Sequence, residues 1–463
     1  MSLKPFFAPQ SVAVVGASSV PGKSGHIILK NLVELGFAGE IFPINPKADA
    51  ILGKRCYPDM AACPAAPELA VLAVPREHVP AMLRQVAEKG TRHAIIATAG
   101  FSDTGDELGL DLENQILEIA AANNMRLMGP NSIGTIDTTS RLITSITHND
   151  PLPAGPVSFF GQTGLFASGI TRWIYDSQPF GVAKIACLGN KNDVGEIDLL
   201  HYLAEDEATG VIGCYLEGVG DGRRFLDAAR TAAARKPLVV LKGGASTLGG
   251  EAAAGHTGAL AGDSEVFAGV LRQAGAVSVS DLSELFDLLA GFAHGPLPNG
   301  RNLGAISITG AGCVLSADAA ERFGLALPEF DDQTYARMRE VCPDWAPLRN
   351  PVDIWSSIEK SGVEESYRQI GLAVAQDPSI DMLLMAITLF PGSIFDISSI
   401  IREIREAAPE KPVVTVLLGG GCEENRDWTR NAHRAGAATY PSIPRAVQAL
   451  AAMVEYRDRR RRF

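Results

Sequence analysis

Short runs of Val, Ile and Leu recur along the chain. Each is closed by Gly, Pro or Asn and followed by a helix-length stretch of amphipathic sequence. Apolar runs of this length, bounded by turn formers and alternating with amphipathic helices, are how parallel strands buried on both faces read, with crossover helices between them. The pattern predicts an α/β chain. A first set of strands is expected at 12–15, 41–44, 69–74, 94–98 and 126–128, and a second at 156–160, 183–188, 211–216, 238–241 and 276–279. A third is expected at 303–309, 382–387, 413–418 and 438–440, beyond the Pro- and Gly-rich string HGPLPNGRN, which reads as a linker. The segments VSFFGQTGLFASGI and AISITGAGCVLSADAA share a strand, a small-residue turn and a helix start, so the second and third sets are expected to be related in architecture.

Three sets suit the length, because 463 residues exceed what one hydrophobic core organises. The expected division is a Rossmann-like domain at 1–145, a flavodoxin-like domain at 146–293 and a second flavodoxin-like domain at 303–463. With 46% hydrophobic and 20% charged residues the composition is that of an ordinary globular chain. A net charge of -12 repels phosphate backbones, and the dense basic run at 457–462 reads as a solvated helix terminus, so no nucleic acid partner is expected. Seven scattered cysteines without a CxxC pair read as reduced thiols of a cytoplasmic protein. No secretory apolar region opens the chain and no apolar stretch approaches the roughly 18 residues needed to span a membrane.

Ligands of open parallel sheets sit beyond the carboxyl ends of the strands, so the residues just after strand ends carry the candidate chemistry. The first strand runs into GASSVPGKSG, where Gly16, Ala17, Ser18 and Lys23 would let a phosphate approach the backbone and a helix N-terminus. The match to a dinucleotide fingerprint is partial, since Ser18 and Pro21 stand where glycines are wanted. The second strand ends in INPK, offering Asn45 and Lys47 in place of an acidic residue for ribose hydroxyls. A lysine there suits a ribose phosphate, either of NADP or of coenzyme A; a plain solvated loop lysine is the alternative.

In the second set, the strand ends carry Gly161, Gln162, Thr163 and Gly164, then Gly189, Asn190 and Lys191, then Glu217, then KGGASTLGGEAAAGHTGALAG. His256 lies among small residues, which predicts a mobile, accessible loop. Imidazole accepts a phosphoryl group near neutral pH when a partner holds one nitrogen, and Glu217 is the candidate partner. A helix opening at Gln162, Thr163 and Gly164 would offer amides to phosphate oxygens. The other histidines have no ligand spacing, so no metal site is expected on this chain, and no Gly-x-Ser-x-Gly elbow is present.

The strings SVAVVGASSVPGKSG, IFPINPKADAILG, LAVLAVP, ATAGFSDTG and MGPNSIGTID resemble the CoA-binding domain of ADP-forming acyl-CoA synthetase α subunits, relatives of the succinyl-CoA synthetase α subunit. GQTGLFASG, LGNKNDVGEIDLLHYL, YLEGVGDGRRFLDAAR and GHTGALAG resemble that family's second domain, and the last string its phosphohistidine loop. AISITGAGCVLSADAAERFGL, RNPVDIW and TYPSIPRAVQALAAMVEY look like the α/β domain that follows in longer members. The resemblance implies CoA at Gly16, Ala17, Ser18, Lys23, Asn45, Lys47, Val74, Pro75, Ala99, Gly100 and Asn131. It implies a phosphoryl group taken by His256, a histidine held by Glu217 and a phosphate cradle at Gln162, Thr163 and Gly164, where the family more often has Ser at the Thr163 position. The substrates implied are a small carboxylic acid, acyl-CoA and phosphate. No ATP-grasp domain is recognisable, so a separate ATP-grasp β subunit carrying ATP or ADP and Mg2+ is expected, paired as α2β2. Two other readings stand beside this one: an NADP-linked oxidoreductase, resting on the first domain alone, and a non-catalytic CoA sensor, against which the presence of both His256 and Glu217 speaks.

Overall fold

The computed structural model describes residues 1–257, 263–389 and 395–461, with the side chains of 254–257 outside the description. The chain forms two compact units, Met1–Asp176 with Gly181–Ser278 and Ser177–Phe180 with Val279–Phe463.

The first unit holds two large sheets and a two-stranded antiparallel ribbon, Ala50–Ile51 with Lys54–Arg55. One is wholly parallel and runs in the order Glu40–Ile44, Ser11–Val15, Leu69–Leu72, His93–Ile96, Arg126–Met128. Ser11–Val15 and Leu69–Leu72 are buried at every position, as strands covered by helices on both faces must be, and that is why they read as unbroken apolar runs. The other sheet runs Val277–Val279, Leu238–Lys242, Val211–Leu216, Ala154–Gly161, Val182–Cys187, Gly134–Asp137, Leu142–Ile143. Its last two strands are antiparallel and had no counterpart in the apolar pattern. GTID is short and half polar; it pairs because Thr135 bonds Thr144 and the buried Asp137 meets Lys184 at 3.0 Å. One core cluster joins Val12, Val14 and Leu69 of the first sheet to Phe160 and Ile212 of the second and to Phe225 of the helix Gly222–Arg235.

The second unit carries a third sheet, Val352–Asp353, Leu303–Ser307, Met382–Leu389, Val413–Gly419, Ala438–Tyr440, all parallel. Its two-residue first strand follows a proline and is too brief to show any periodicity. The string HGPLPNGRN lies within this unit and begins at His294, the last residue of the helix Leu282–His294.

Numbered along the chain, the main strands of the three large sheets are ordered 2-1-3-4-5. In that arrangement the strand order reverses between the first and third strands, and the crevice at their carboxyl ends is where ligands bind. No helix among the described residues is long and apolar enough to cross a membrane.

Candidate functional site

At the switch point of the first sheet lies a cavity of about 860 Å3. Gly16 closes the first strand at φ +90°, and a Cβ there would stand 2.5 Å from the Ala73 carbonyl oxygen. A Cβ on Gly25 would stand 2.0 Å from the Gly16 carbonyl oxygen. Two glycines therefore let the helix Ser24–Glu34 descend onto the strand end. No side chain caps that helix, and its first residues line the cavity, so its positive end faces the space.

Of the residues expected to meet CoA, Gly16, Ala17, Ser18, Lys23, Asn45, Lys47, Val74 and Pro75 all line this cavity. Lys23 and Lys47 are exposed and take part in no ion pair among the described residues. Asn45 is already engaged: its Nδ2 donates to the Ala17 carbonyl at 2.7 Å and its Oδ1 accepts from the Lys47 amide at 2.7 Å, so it holds two loops together. Asp59, His78, Met82 and Gln85 also line the cavity and were not singled out, since nothing in their local sequence sets them apart.

Ala99, Gly100 and Asn131 stand outside this lining. The Gly100 carbonyl accepts from Arg76 at 2.8 Å, and its amide donates to Asp103 at 2.9 Å. Asn131, at φ +60°, directs its Nδ2 to Asn190 Oδ1 at 3.4 Å. Asn190 in turn donates to Asp103 Oδ1 at 3.0 Å, joining the strand ends of the first sheet to that of Val182–Cys187 in the second.

At the carboxyl edge of the second sheet, Glu217 is buried just after Val211–Leu216. Tyr215 donates its phenol to Glu217 Oε1 at 3.1 Å, and Lys242 Nζ donates to the Glu217 carbonyl at 2.7 Å. Burial, with Glu217 beside it, pushes the Tyr215 phenol up to about 12, so it is a donor at neutral pH. Lys191, also at this edge, pairs with Glu196 at 2.9 Å and donates to the Gly218 carbonyl.

Two expectations change here. Gln162, Thr163 and Gly164 do not open an α-helix: a single 3-10 turn, Gly164–Ala167, intervenes before the helix Gly169–Ser177. Thr163 caps that turn by accepting from the Leu165 amide at 3.1 Å. Gln162 Oε1 accepts the amides of Glu217 at 2.9 Å and Gly218 at 3.3 Å, so its carbonyl holds the glutamate's backbone. Secondly, the backbone carrying His256 is the helix Thr247–Thr257, where a loop was expected. The EAAA run before it is strong helix-forming sequence, and that outweighs the flanking glycines. The helix packs against the turn Ser102–Thr104 of the first sheet. The His256 side chain and residues 258–262 lie outside the described residues.

A doubly wound sheet with a phosphate-suited switch point, followed by a second parallel sheet with a buried glutamate at its edge, defines a CoA-binding, succinyl-CoA ligase-like protein. Residues 10–138 match the CoA binding domain, and 154–292 match the succinyl-CoA ligase like flavodoxin domain. The chain belongs to the family of ADP-forming acetate–CoA ligases. It is 34% identical over 461 residues to the acetate–CoA ligase [ADP-forming] I subunit alpha of Pyrococcus furiosus, with 98% of each chain covered. It is 40% identical over 386 residues to acetate–CoA ligase [ADP-forming] II of Archaeoglobus fulgidus, covering 83% of this chain and 57% of that protein. The chain thus spans little more than half of that relative. Among solved structures, the acetyl-coenzyme A synthetase 1 of Ca. Korarchaeum cryptofilum, in complex with phosphate and ADP, superposes with a TM-score of 0.89 at 30% identity, covering 99% of this chain and 98% of that one.

Proposed function

We propose that this chain is the catalytic α subunit of an ADP-forming acyl-CoA synthetase, acting through His256 and a separate ATP-grasp β subunit in an α2β2 assembly. The observation that carries the reading is Glu217, buried at the sheet edge and held at backbone and side chain by Gln162, Lys242 and Tyr215. The family's P. furiosus member, matched end to end, bears the name of an alpha subunit of an ADP-forming ligase. We carry the division 1–145, 146–293 and 303–463 as the functional modules of that subunit.

The cavity of the first sheet fits CoA: two lysines outside any described ion pair and an uncapped helix start suit its phosphates, and Val74, Pro75 and Met82 give an apolar wall. In the reaction, inorganic phosphate attacks the acyl carbon of the thioester; the C–S bond breaks and CoA leaves as its thiolate. An unprotonated nitrogen of His256 then takes the phosphoryl group from the acyl phosphate, the P–O bond breaks and the carboxylic acid departs as its carboxylate. Glu217 holds the other imidazole nitrogen and stabilises the ring as it gains positive charge. Amides around Thr163 and Gly164 serve the phosphate oxygens. ADP accepts the phosphoryl group to give ATP, and Mg2+ with the nucleotide, bound on the β subunit, supplies charge neutralisation in that transfer. Run backward, the same steps activate an acid.

The test is intact mass of the chain co-expressed with its ATP-grasp partner and incubated with ATP and magnesium. An acid-labile phosphoryl adduct that is lost in His256→Asn, with folding retained, supports the mechanism. An adduct that persists in the variant, or none with a competent partner, overturns it.

A further inference from the structure

Tyr215 stands two residues before Glu217, and the alternation of the strand puts both side chains on one face. The register sets Gly161, Tyr215 and Leu241 side by side on three neighbouring strands. The space around the phenol is made by glycine. A Cβ on Gly243 would stand 2.4 Å from Tyr215 Oη, and one on Gly161 would stand 3.2 Å from Tyr215 Cβ. Phe166, from the turn after Gln162, closes one side with its ring edge-on at 6.4 Å. A half-buried phenol needs an acceptor, and the acceptor provided is Glu217 Oε1 at 3.1 Å.

A carboxylate that must orient an imidazole gains from having one oxygen already fixed, because its remaining geometry is then set before the ring arrives. The backbone of Glu217 is held independently, by Gln162 Oε1 on its amide and Lys242 Nζ on its carbonyl. The phenol meets the carboxylate itself, and so restrains its rotation about its own stem. We propose that Tyr215 is a positioning residue of this site, its phenol fixing the carboxylate of Glu217 for its hydrogen bond to the imidazole of His256. Gly243 is part of the same device, since any side chain there would displace the phenol. This inference rests on the phosphohistidine reading of the site.

The experiment is a double-mutant cycle on the chain co-expressed with its ATP-grasp partner, assayed with acetyl-CoA, inorganic phosphate and ADP. Tyr215→Phe is expected to lower kcat about tenfold while the KM values for acetyl-CoA and phosphate stay within about twofold of the parent. Glu217→Gln lowers kcat further, and adding Tyr215→Phe to it changes nothing more, because the phenol acts only through the carboxylate. Gly243→Ala, which keeps the phenol and displaces it, is expected to show the same kcat loss and the same lack of effect on top of Glu217→Gln. A merely structural role would instead multiply with Glu217→Gln or raise KM alongside. Wild-type kcat in Tyr215→Phe, or multiplicative losses in the cycle, would overturn the positioning role while phosphorylation of the parent at His256 leaves the wider reading intact. A parent chain that never gains the acid-labile group overturns the reading itself.

Discussion

The side-chain amide of Asn190 donates to the carboxylate of Asp103 at 3.0 Å, so a residue at a strand end of the second sheet grips the turn that follows a strand of the first. The same carboxylate accepts the amides of Gly100 and Phe101. Burial acts to raise the pKa of Asp103, but these hydrogen bonds outweigh it and hold the carboxyl below its ordinary value.

Asp103→Asn should therefore lower the unfolding free energy at pH 7 by about 1 kcal/mol, the scale of a part-exposed, charge-assisted hydrogen bond set. The sign with pH follows from the lowered folded value. The carboxylate's contribution is full above the unfolded pKa of about 3.9 and fades as pH falls through the folded one, so the deficit of the variant should shrink on acidification. Urea melts at pH 7 and below pH 4 measure it; a deficit independent of pH would refute the account.

Lys23 and Lys47 line the cavity of the first sheet, proposed above to take CoA, without described ionic partners. Replacing either by Ala should weaken CoA by about tenfold, or about 1.4 kcal/mol, and the loss should diminish at high salt. Calorimetry with CoA and with dephospho-CoA separates their tasks: the lysine that serves the 3'-phosphate loses its effect on the truncated ligand.

Gly25→Ala puts a methyl 2.0 Å from the Gly16 carbonyl oxygen, against backbone that has nowhere to go. The helix Ser24–Glu34 must lift from the strand end. We expect about 1–3 kcal/mol of lost stability together with a loss of CoA affinity, read by thermal unfolding with and without CoA. Normal CoA-induced stabilisation in the variant would mean that this helix start is not part of the binding surface.

In the second unit, the rings of His294 and His433 stack at 4.6 Å, 9° from parallel. His433 Nδ1 meets the Gln178 carbonyl at 2.8 Å while its Nε2 accepts from the Thr439 amide at 3.1 Å, a pairing that only the neutral ring satisfies. Burial first, and His294 beside it, push the His433 pKa down to about 3; burial likewise lowers that of His294. Both folded values lie below the unfolded one, so the unfolded chain binds more protons below about pH 6.5 and stability falls as pH drops from there, by about 1.4 kcal/mol per pH unit from His433 alone. Urea melts followed by tryptophan fluorescence report this unit well, since Trp345, Trp355 and Trp428 lie within it. His433→Asn should flatten the dependence between pH 6.5 and 5, and an unchanged slope would show that this ring titrates freely.

The strands were legible because parallel strands covered on both faces need continuous apolar sequence, and Val12 to Val15 or Leu69 to Leu72 have little else to be. The strands that escaped notice either depend on a distant partner or are only two residues long, as Ala50–Ile51 and Lys54–Arg55 are. Gly134–Asp137 finds Val182–Cys187 and Leu142–Ile143, and Val352–Asp353 has only two residues in which to show a period. Most of the cavity lining was legible too, because residues just after strand ends of an open sheet converge on one edge whatever the side chains are. Asp59, His78 and Gln85 were not, for they reach the cavity from a turn and a helix whose approach no local pattern records.

By itself the sequence determined the α/β class, the 2-1-3-4-5-compatible succession of strands and helices, and the glycines at the first strand end, all of which follow from short-range periodicity and backbone sterics. The tertiary structure decided what each candidate side chain is bonded to. Gln162 became a clamp on the Glu217 backbone, Tyr215 the partner of its carboxylate, Asn190 a bridge to Asp103, and the His256 segment the end of a helix. Those contacts join residues as much as 87 positions apart in the chain, and a hydrogen bond of about 3 Å depends on how separate strands come to lie side by side, which only closure of the whole fold sets.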